Sequence, residues 1–389
     1  MKKKKILIVA HHLTVGGVQK SLISALKVLD YDKYDVTLYL RKNRTDLIDF
    51  IDSRVKVVIN EDSHHYYRKP YAIALQAKEL LYKLINNKVK AEQAKDALAE
   101  KIVEDSMQYE HSTYFNSQHY DIAVAYVQGY IAGFVAEHIS ADKKIVFFHT
   151  STDDHHEMHE RVLSEFDTVV ALHKEQQALI EKWYPEAKEK IKIVGNYSDG
   201  DFVKQQSVVY EIKKEDRLCL CSCGRLAGVK GFDLAVQAAE ILKNHGYDFM
   251  WYFVGDGPER KSLEKMISDK DLKDRVIITG MQKNPYPYMA ACDIYVQPSY
   301  EEASPMTLSE VFILCKPVIS TATVGGKKLI DDGANGLLCD ISAEAIAQAI
   351  MDLANNKSMT KTIIENLELR DNLSELDLFR TQWENVLKG

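Results

Sequence analysis

Long apolar runs are missing from this chain. No stretch approaches the ~18 residues that a membrane-spanning helix needs, so no segment is expected to cross a bilayer. The opening Met-Lys-Lys-Lys-Lys-Ile-Leu-Ile-Val-Ala is basic at its start. His11 and His12 cut its apolar run short and no small-residue cleavage site follows, which argues against a secretion signal. Glycine and proline are sparse, 18 and 8 among 389 residues, which excludes collagenous and low-complexity chains. An excess of basic charge is absent too. Residues 1–196 carry 28 Lys and Arg against 28 Asp and Glu, and 197–389 carry 22 against 29, so the net charge of −7 lies wholly in the second half. Nucleic acid is therefore not an expected partner. The expected location is the cytoplasm.

Metal and redox motifs are missing as well. All six cysteines follow residue 218, and none shows Cys-x-x-Cys spacing. Cys219, Cys221 and Cys223 alternate, which predicts buried, reduced thiols on a strand with one buried face. The run His155-His156-Glu157-Met158-His159 would need a histidine at 160 to be a zincin helix, and that position is Glu160. No third ligand is visible, so a solvated or substrate-facing helix start is expected, with no metal.

What remains is a globular composition, 46% apolar and 28% charged, at a length suited to about two domains. Strands are predicted at Lys5–Ala10, Val36–Leu40, Val55–Ile59, Asp121–Tyr126, Lys144–Phe148, Thr168–Ala171 and Lys192–Val194. Helical periodicity covers 18–29, and a long helix is predicted over 70–110. After a polar stretch at 199–216, read as a linker, the alternation restarts. It runs Arg217–Cys223, helix Phe232–Asn244, Phe249–Val254, helix Glu259–Ser268, Val276–Thr279, Ile294–Gln297, Pro317–Thr321 and Gly336–Cys339, with helices from Ala343 to Leu387. Repeated β-α-β predicts an α/β protein of two Rossmann-like doubly wound domains facing a central cleft. The expected boundaries are 1–198, with a helical insertion at about 64–110, then 199–372, and a closing helix at 373–389 that crosses back to the first domain. Residues 64–101 hold eight basic side chains against four acids, with Tyr66, Tyr67, Tyr71 and Tyr82 among them. They read either as a solvated insertion with snorkelling lysines or as a peripheral membrane contact on the inner face of the cell membrane.

In such sheets ligands lie beyond the carboxyl ends of strands, and four loops there carry chemistry. Gly16-Gly17 enters the first helix and allows backbone amides to approach an anion, though a tight turn explains it equally. Gly224-Arg225-Leu226-Ala227-Gly228-Val229-Lys230-Gly231 offers an Arg fork and a Lys point charge for a diphosphate, without the ending of a Walker loop. Gly255-Asp256-Gly257-Pro258 lines a nucleotide pocket or is simply a turn. In Glu302-Ala303-Ser304-Pro305-Met306-Thr307-Leu308-Ser309-Glu310, free amides near 304–307 would face an anion, with a carboxylate on each side. Two carboxylates beside an anion site suit a ligand with hydroxyls as well as phosphate, which is a nucleotide sugar.

These residues resemble the retaining glycosyltransferases of the family-4 type, glycosyl transferases group 1, which have the GT-B fold. The likeness is sharpest over 217–340. It implies that Glu302 touches donor-sugar hydroxyls, Glu310 holds the ribose, and Arg225 and Lys230 bind the diphosphate. It places His149, in Val146-Phe147-Phe148-His149-Thr150, in the active site. Gly16 and Gly17 match the family's glycine-rich loop, Asn196 its interdomain asparagine, and Gly280-Met281-Gln282 the loop that reads the base. Catalytic roles thus fall on Glu302, His149, Arg225 and Lys230. Donor binding adds Gly16, Gly17, Asn196, Gly255, Met281, Gln282, Ser304, Pro305, Met306, Thr307 and Glu310. The first Glu is usually followed by Gly and an aromatic, where this chain has Ala303 and Ser304. The implied reaction is metal-independent, cofactor-free hexosyl transfer with retained configuration. The co-substrate is a nucleotide sugar, with UDP-glucose or UDP-N-acetylhexosamine favoured. The implied acceptor is a glycan, lipid-linked or polyanionic, in cell-surface polysaccharide or teichoic-acid-type assembly. Two other readings stay open: a non-catalytic nucleotide-sugar or glycan-binding partner of another transferase, and a GT-B sugar-nucleotide epimerase.

Overall fold

The computed structural model describes residues 2–61, 77, 80, 81, 107–150, 156–302, 304–370 and 372–388. The chain divides into two compact units. One comprises 1–14, 25–195 and 379–389, and the other 15–24 and 196–378. The strands are β1 (Lys4–Ala10), β2 (Tyr34–Leu40), β3 (Lys56–Ile59), β4 (Tyr120–Ala125), β5 (Ala141–Phe147), β6 (Thr168–Ala171), β7 (Ile191–Ile193), β8 (Leu218–Cys223), β9 (Phe249–Val254), β10 (Val276–Gly280), β11 (Ile294–Gln297), β12 (Val318–Thr321) and β13 (Leu337–Cys339). The helices are α1 (Gly17–Val28), α2 (Tyr130–His138), α3 (His156–Val162), α4 (Lys174–Trp183), α5 (Gly200–Ser207), α6 (Phe232–Asn244), α7 (Arg260–Asp269), α8 (Tyr286–Ala291), α9 (Met306–Ile313), α10 (Val324–Leu329), α11 (Ala343–Asn355), α12 (Lys357–Glu368) and α13 (Asn372–Lys388).

The first unit's sheet has the order β3-β2-β1-β4-β5-β6-β7 and the second unit's β10-β9-β8-β11-β12-β13. Every pairing is parallel. Both orders reverse beside the first strand of the unit, so each sheet has one topological switch point. In the second unit it lies between β8 and β11.

Parallel strands covered by helices on both faces read as continuous apolar runs. β1 carries Ile6, Leu7, Ile8 and Val9, all at 1% exposure or less. β8 corrects the expectation of a single buried face. Cys219, Leu220, Cys221 and Ser222 are all buried, because helices flank both sides of this strand. Its thiols are free, and burial pushes those of Cys219 and Cys223 up to about 12. α6 buries Phe232, Ala235, Val236, Ala239 and Leu242 at helical spacing, against a core that includes Trp251 and Phe253.

Three further expectations change. The polar stretch at 199–216 is not wholly linker. Asp199 caps α5 by accepting from the Phe202 amide at 3.0 Å, and Val203 enters the second core at 1% exposure. His159 is not on a solvated helix start. It is buried, its Nε2 accepts the Gly129 amide at 2.8 Å, and its Nδ1 lies 3.1 Å from the Tyr184 hydroxyl. His155 is outside the described residues, and no group of three metal-ligating side chains occurs among those described. The 64–101 stretch lies outside them as well, apart from Ala77, Leu80 and Leu81. No helix among the described residues is long and apolar enough to cross a membrane.

The end of the expected insertion is core. Met107 and Phe115 are buried in the first unit. Glu110, 1% exposed, receives Arg41 through Nε at 2.8 Å and Nη2 at 2.7 Å, and the Tyr39 hydroxyl at 3.0 Å. Truncating this carboxylate removes the ion-pair partner of a buried guanidinium. Glu110→Ala should lower unfolding free energy by about 3–5 kcal/mol in urea denaturation. A loss below ~1 kcal/mol would mean that the pair is solvated.

Candidate active site

The second unit's switch point gathers most of the predicted residues. Apolar β8 ends at Cys223 and hands the chain to the loop 224–231. Apolar β11 ends at Gln297 and hands it to 298–305. The Tyr300 amide bonds the Val229 carbonyl at 2.9 Å, which ties the two loops together. Gly231 sits at φ +64° with α6 starting behind it, and a Cβ there would lie 2.0 Å from the Pro298 carbonyl oxygen. Only glycine permits that approach. Gly255 has a packing reason of the same kind. A Cβ on it would lie 1.9 Å from the Gly224 oxygen, so the loop after β9 supports the loop after β8.

These backbone contacts place Lys230 against Glu302, Nζ to Oε1 at 2.5 Å. The same oxygen accepts Gln297 Nε2 at 2.9 Å and Ser299 Oγ at 3.1 Å. Gln297 is held in turn, its Oε1 accepting the Tyr295 hydroxyl at 3.0 Å and Thr307 Oγ1 at 3.2 Å. The Glu302 carbonyl accepts the Gly325 amide at 2.7 Å. Glu302 is thus fixed through its backbone and one carboxylate oxygen, while Oε2 takes no hydrogen bond from the described residues. Arg225 is exposed on the same loop as Lys230, and its guanidinium has no hydrogen-bond or ion-pair partner among the described residues. The arrangement offers one free guanidinium, one ammonium shared with a carboxylate, and one open carboxylate edge.

Eight residues on from Glu302, within α9, Glu310 is 1% exposed. Its Oε1 accepts the Tyr286 hydroxyl at 2.8 Å and Lys20 Nζ at 2.8 Å, and its Oε2 accepts Lys20 Nζ at 3.0 Å. Burial and the Glu310 carboxylate hold the Tyr286 phenol far above its usual range. Lys20 belongs to 15–24, which is part of the second unit, as are Gly16 and Gly17. Met306, at the start of α9, has its Sδ 3.9 Å from where a Cβ on Gly17 would stand. Pro305 is buried and Ser304 exposed. Asn196 Oδ1 accepts Ser21 Oγ at 3.0 Å. Met281 is exposed, and Gln282 folds back to donate to the Thr279 carbonyl at 3.0 Å.

His149 lies in the first unit, just beyond the carboxyl end of β5. Its amide donates to Gln128 Oε1 at 2.9 Å. Its ring lies 5.0 Å from Tyr126 and 6.1 Å from Phe147, centre to centre. Burial lowers its pKa from 6.5 to about 4, partly offset by a hydrogen bond to the Tyr126 backbone. Its Nε2 is screened from solvent and has no hydrogen-bond partner among the described residues. A buried nitrogen left in that state marks a place where a ligand donor can bind.

Sequence reasoning missed Lys20, Tyr286, Gln297 and Ser299 as functional groups. Their signals were faint: a lysine four residues after Gly16, and polar residues directly after the apolar run of β11.

The fold has counterparts among solved structures. HepE of Anabaena, in complex with UDP and glucose, superposes at TM-score 0.69 and 19% identity, over 99% of this chain and all of that one. S. aureus TarM, in a complex with fondaparinux, alpha-GlcNAc-glycerol and UDP, superposes at TM-score 0.70 and 16% identity, over 99% and 100%. Both likenesses are to the GT-B fold. Residues 204–370 match the family model of glycosyl transferases group 1. Alpha-D-kanosaminyltransferase of Streptomyces kanamyceticus is 31% identical over 155 residues, 39% of this chain and 40% of that protein. The lipopolysaccharide core biosynthesis glycosyltransferase LpsE of Rhizobium meliloti (strain 1021) is 30% identical over 179 residues, 46% and 52%. The chain spans about half the length of the curated relatives it matches.

The low pKa of His149 makes a direct prediction. An unfolded histidine takes its proton near 6.5 and the folded one near 4, so the unfolded state binds more protons in between. This imidazole therefore adds stability at neutral pH that is lost as pH falls from 6.5 through 4. Histidine NMR should show the His149 ring unprotonated at pH 5.5. A midpoint at 6 or above would contradict the burial.

Proposed function

We propose that this protein is a retaining glycosyltransferase that moves glucose or an N-acetylhexosamine from a uridine diphosphate sugar to a glycan or glycoconjugate acceptor. One observation carries the reading: an unpaired Arg225 shares a loop with Lys230, which rests on the half-open carboxylate of Glu302, at the switch point of a doubly wound unit. Arg225 as a fork and Lys230 as a point charge suit a diphosphate. The open Oε2 of Glu302 suits sugar hydroxyls, and Glu310 suits a ribose. Amides at the start of α9 add donors for charge on the departing phosphate. Attack comes from the face of the leaving group, with no protein nucleophile. His149, neutral and with a bare Nε2, accepts a hydroxyl hydrogen of the sugar. The two cations supply the charge that a divalent ion would otherwise bring, so the reaction is read as metal-independent.

HepE and TarM in their UDP complexes support a uridine donor, and LpsE supports an acceptor of the cell surface. Six free thiols fit a reducing compartment, so the cytoplasm is the proposed location.

The test is nucleoside diphosphate release from a panel of uridine and guanosine diphosphate sugars, with EDTA present. Turnover of one donor is expected, and Glu302→Ala or Lys230→Ala should reduce it by about 10²–10³-fold. Absence of turnover together with absence of thermal stabilisation by every donor would overturn the reading.

A further inference from the structure

Glu310 is too buried to stand alone. Its side chain is 2% exposed and that of Lys20 is 13% exposed. The ammonium spans both carboxylate oxygens, 2.8 Å from Oε1 and 3.0 Å from Oε2, across 290 residues of sequence. It also sits 4.8 Å from the centre of the Tyr286 ring, whose hydroxyl donates to Oε1 at 2.8 Å. The ring and the carboxylate thus hold one cation between them. The backbone fixes where that cation starts. The Lys20 amide bonds the Gly16 carbonyl at 3.0 Å, and the neighbouring Ser21 hydroxyl bonds Asn196.

A carboxylate offers about four acceptor positions. Lys20 and Tyr286 fill two on Oε1, and Lys20 fills one on Oε2. The edge of Oε2 is left. Resting on the reading that Glu310 meets a nucleotide ribose, we infer that Lys20 is the positioning residue for that contact. It holds the carboxylate with its Oε2 edge presented to the ribose hydroxyls and neutralises the charge that burial would otherwise leave unpaired. The glycine pair before it serves this purpose as much as anion binding. It starts α1 where the first helical turn delivers Lys20 to Glu310.

Calorimetry of the full chain with UDP and with 2′,3′-dideoxy-UDP tests this as a cycle. The unaltered protein should bind UDP at least about tenfold more tightly than the dideoxy nucleotide. Lys20→Met should weaken UDP by about 10–100-fold and the dideoxy nucleotide by less than about threefold, since the contact it serves is already gone. Lys20→Arg, which keeps a two-donor cation, should hold UDP within about threefold. If Lys20→Met does not fold, Lys20→Gln keeps one donor and carries the same expectation. Equal weakening of both nucleotides would place Lys20 on the diphosphate and overturn the inference, as would unchanged UDP affinity. An unaltered protein that binds no nucleoside diphosphate would overturn the underlying reading of the site instead, a result distinct from either.

Discussion

Three donors converge on one oxygen of Glu302: the Lys230 ammonium, the Gln297 amide and the Ser299 hydroxyl. The first comes from the loop after β8, the second from the end of β11 and the third from the loop after it, so the carboxylate can be satisfied only when both loops are in place. That requirement reaches into the fold. Gln297 is the last residue of β11, and its own oxygen is held by Tyr295 and Thr307. Ser299 presents its carbonyl to Thr321 Oγ1 at 2.6 Å, at the end of β12. Side chains at the ends of adjacent parallel strands thus fix a group that lies outside the sheet.

The glycines in this region serve proximity more than flexibility. Gly231 lets the β8 loop lie on Pro298, and Gly255 lets the β9 loop lie on Gly224. Substitution at either would push the loops apart and loosen the Lys230–Glu302 pair without touching it. Electrostatics divides the work between two carboxylates. Glu302, partly exposed, shares its cation and keeps an open edge. Glu310, deeply buried, holds a dedicated cation and a phenol. One suits a ligand that must leave after reaction, the other a group that anchors.

Much of this was legible in the sequence. Apolar runs of four to seven residues located the strands, and Phe232–Asn244 and Ile294–Gln297 fall where periodicity put them. Arg225, Lys230 and Glu302 could be picked out because charged residues in loops after apolar strands have few structural reasons to be there, and Glu310 because it follows Glu302 on the helix that the second loop enters. Their partners were not legible. Lys20 meets Glu310 across 290 residues, and no local pattern announces such a contact. The polar stretch at 199–216 hid α5 because its apolar content is low and a single buried valine, Val203, anchors it. The alternation of Cys219, Cys221 and Cys223 suggested one buried face, whereas the Ser222 hydroxyl on the other face donates to the Val296 carbonyl at 2.6 Å inside the core. His159 was expected on a solvated or substrate-facing helix start because a lone sequence gives no sign of the Gly129 amide that it accepts.

The central claim is that Lys230 and Arg225 exist to receive a diphosphate, with Glu302 holding the lysine in readiness. A crystal structure of the protein with UDP tests it most directly. The account predicts the diphosphate within hydrogen-bond distance of both Arg225 and Lys230, with Glu302 still held by Gln297 and Ser299. A diphosphate bound away from the β8 and β11 loops, or one bound with neither cation in contact, would contradict it.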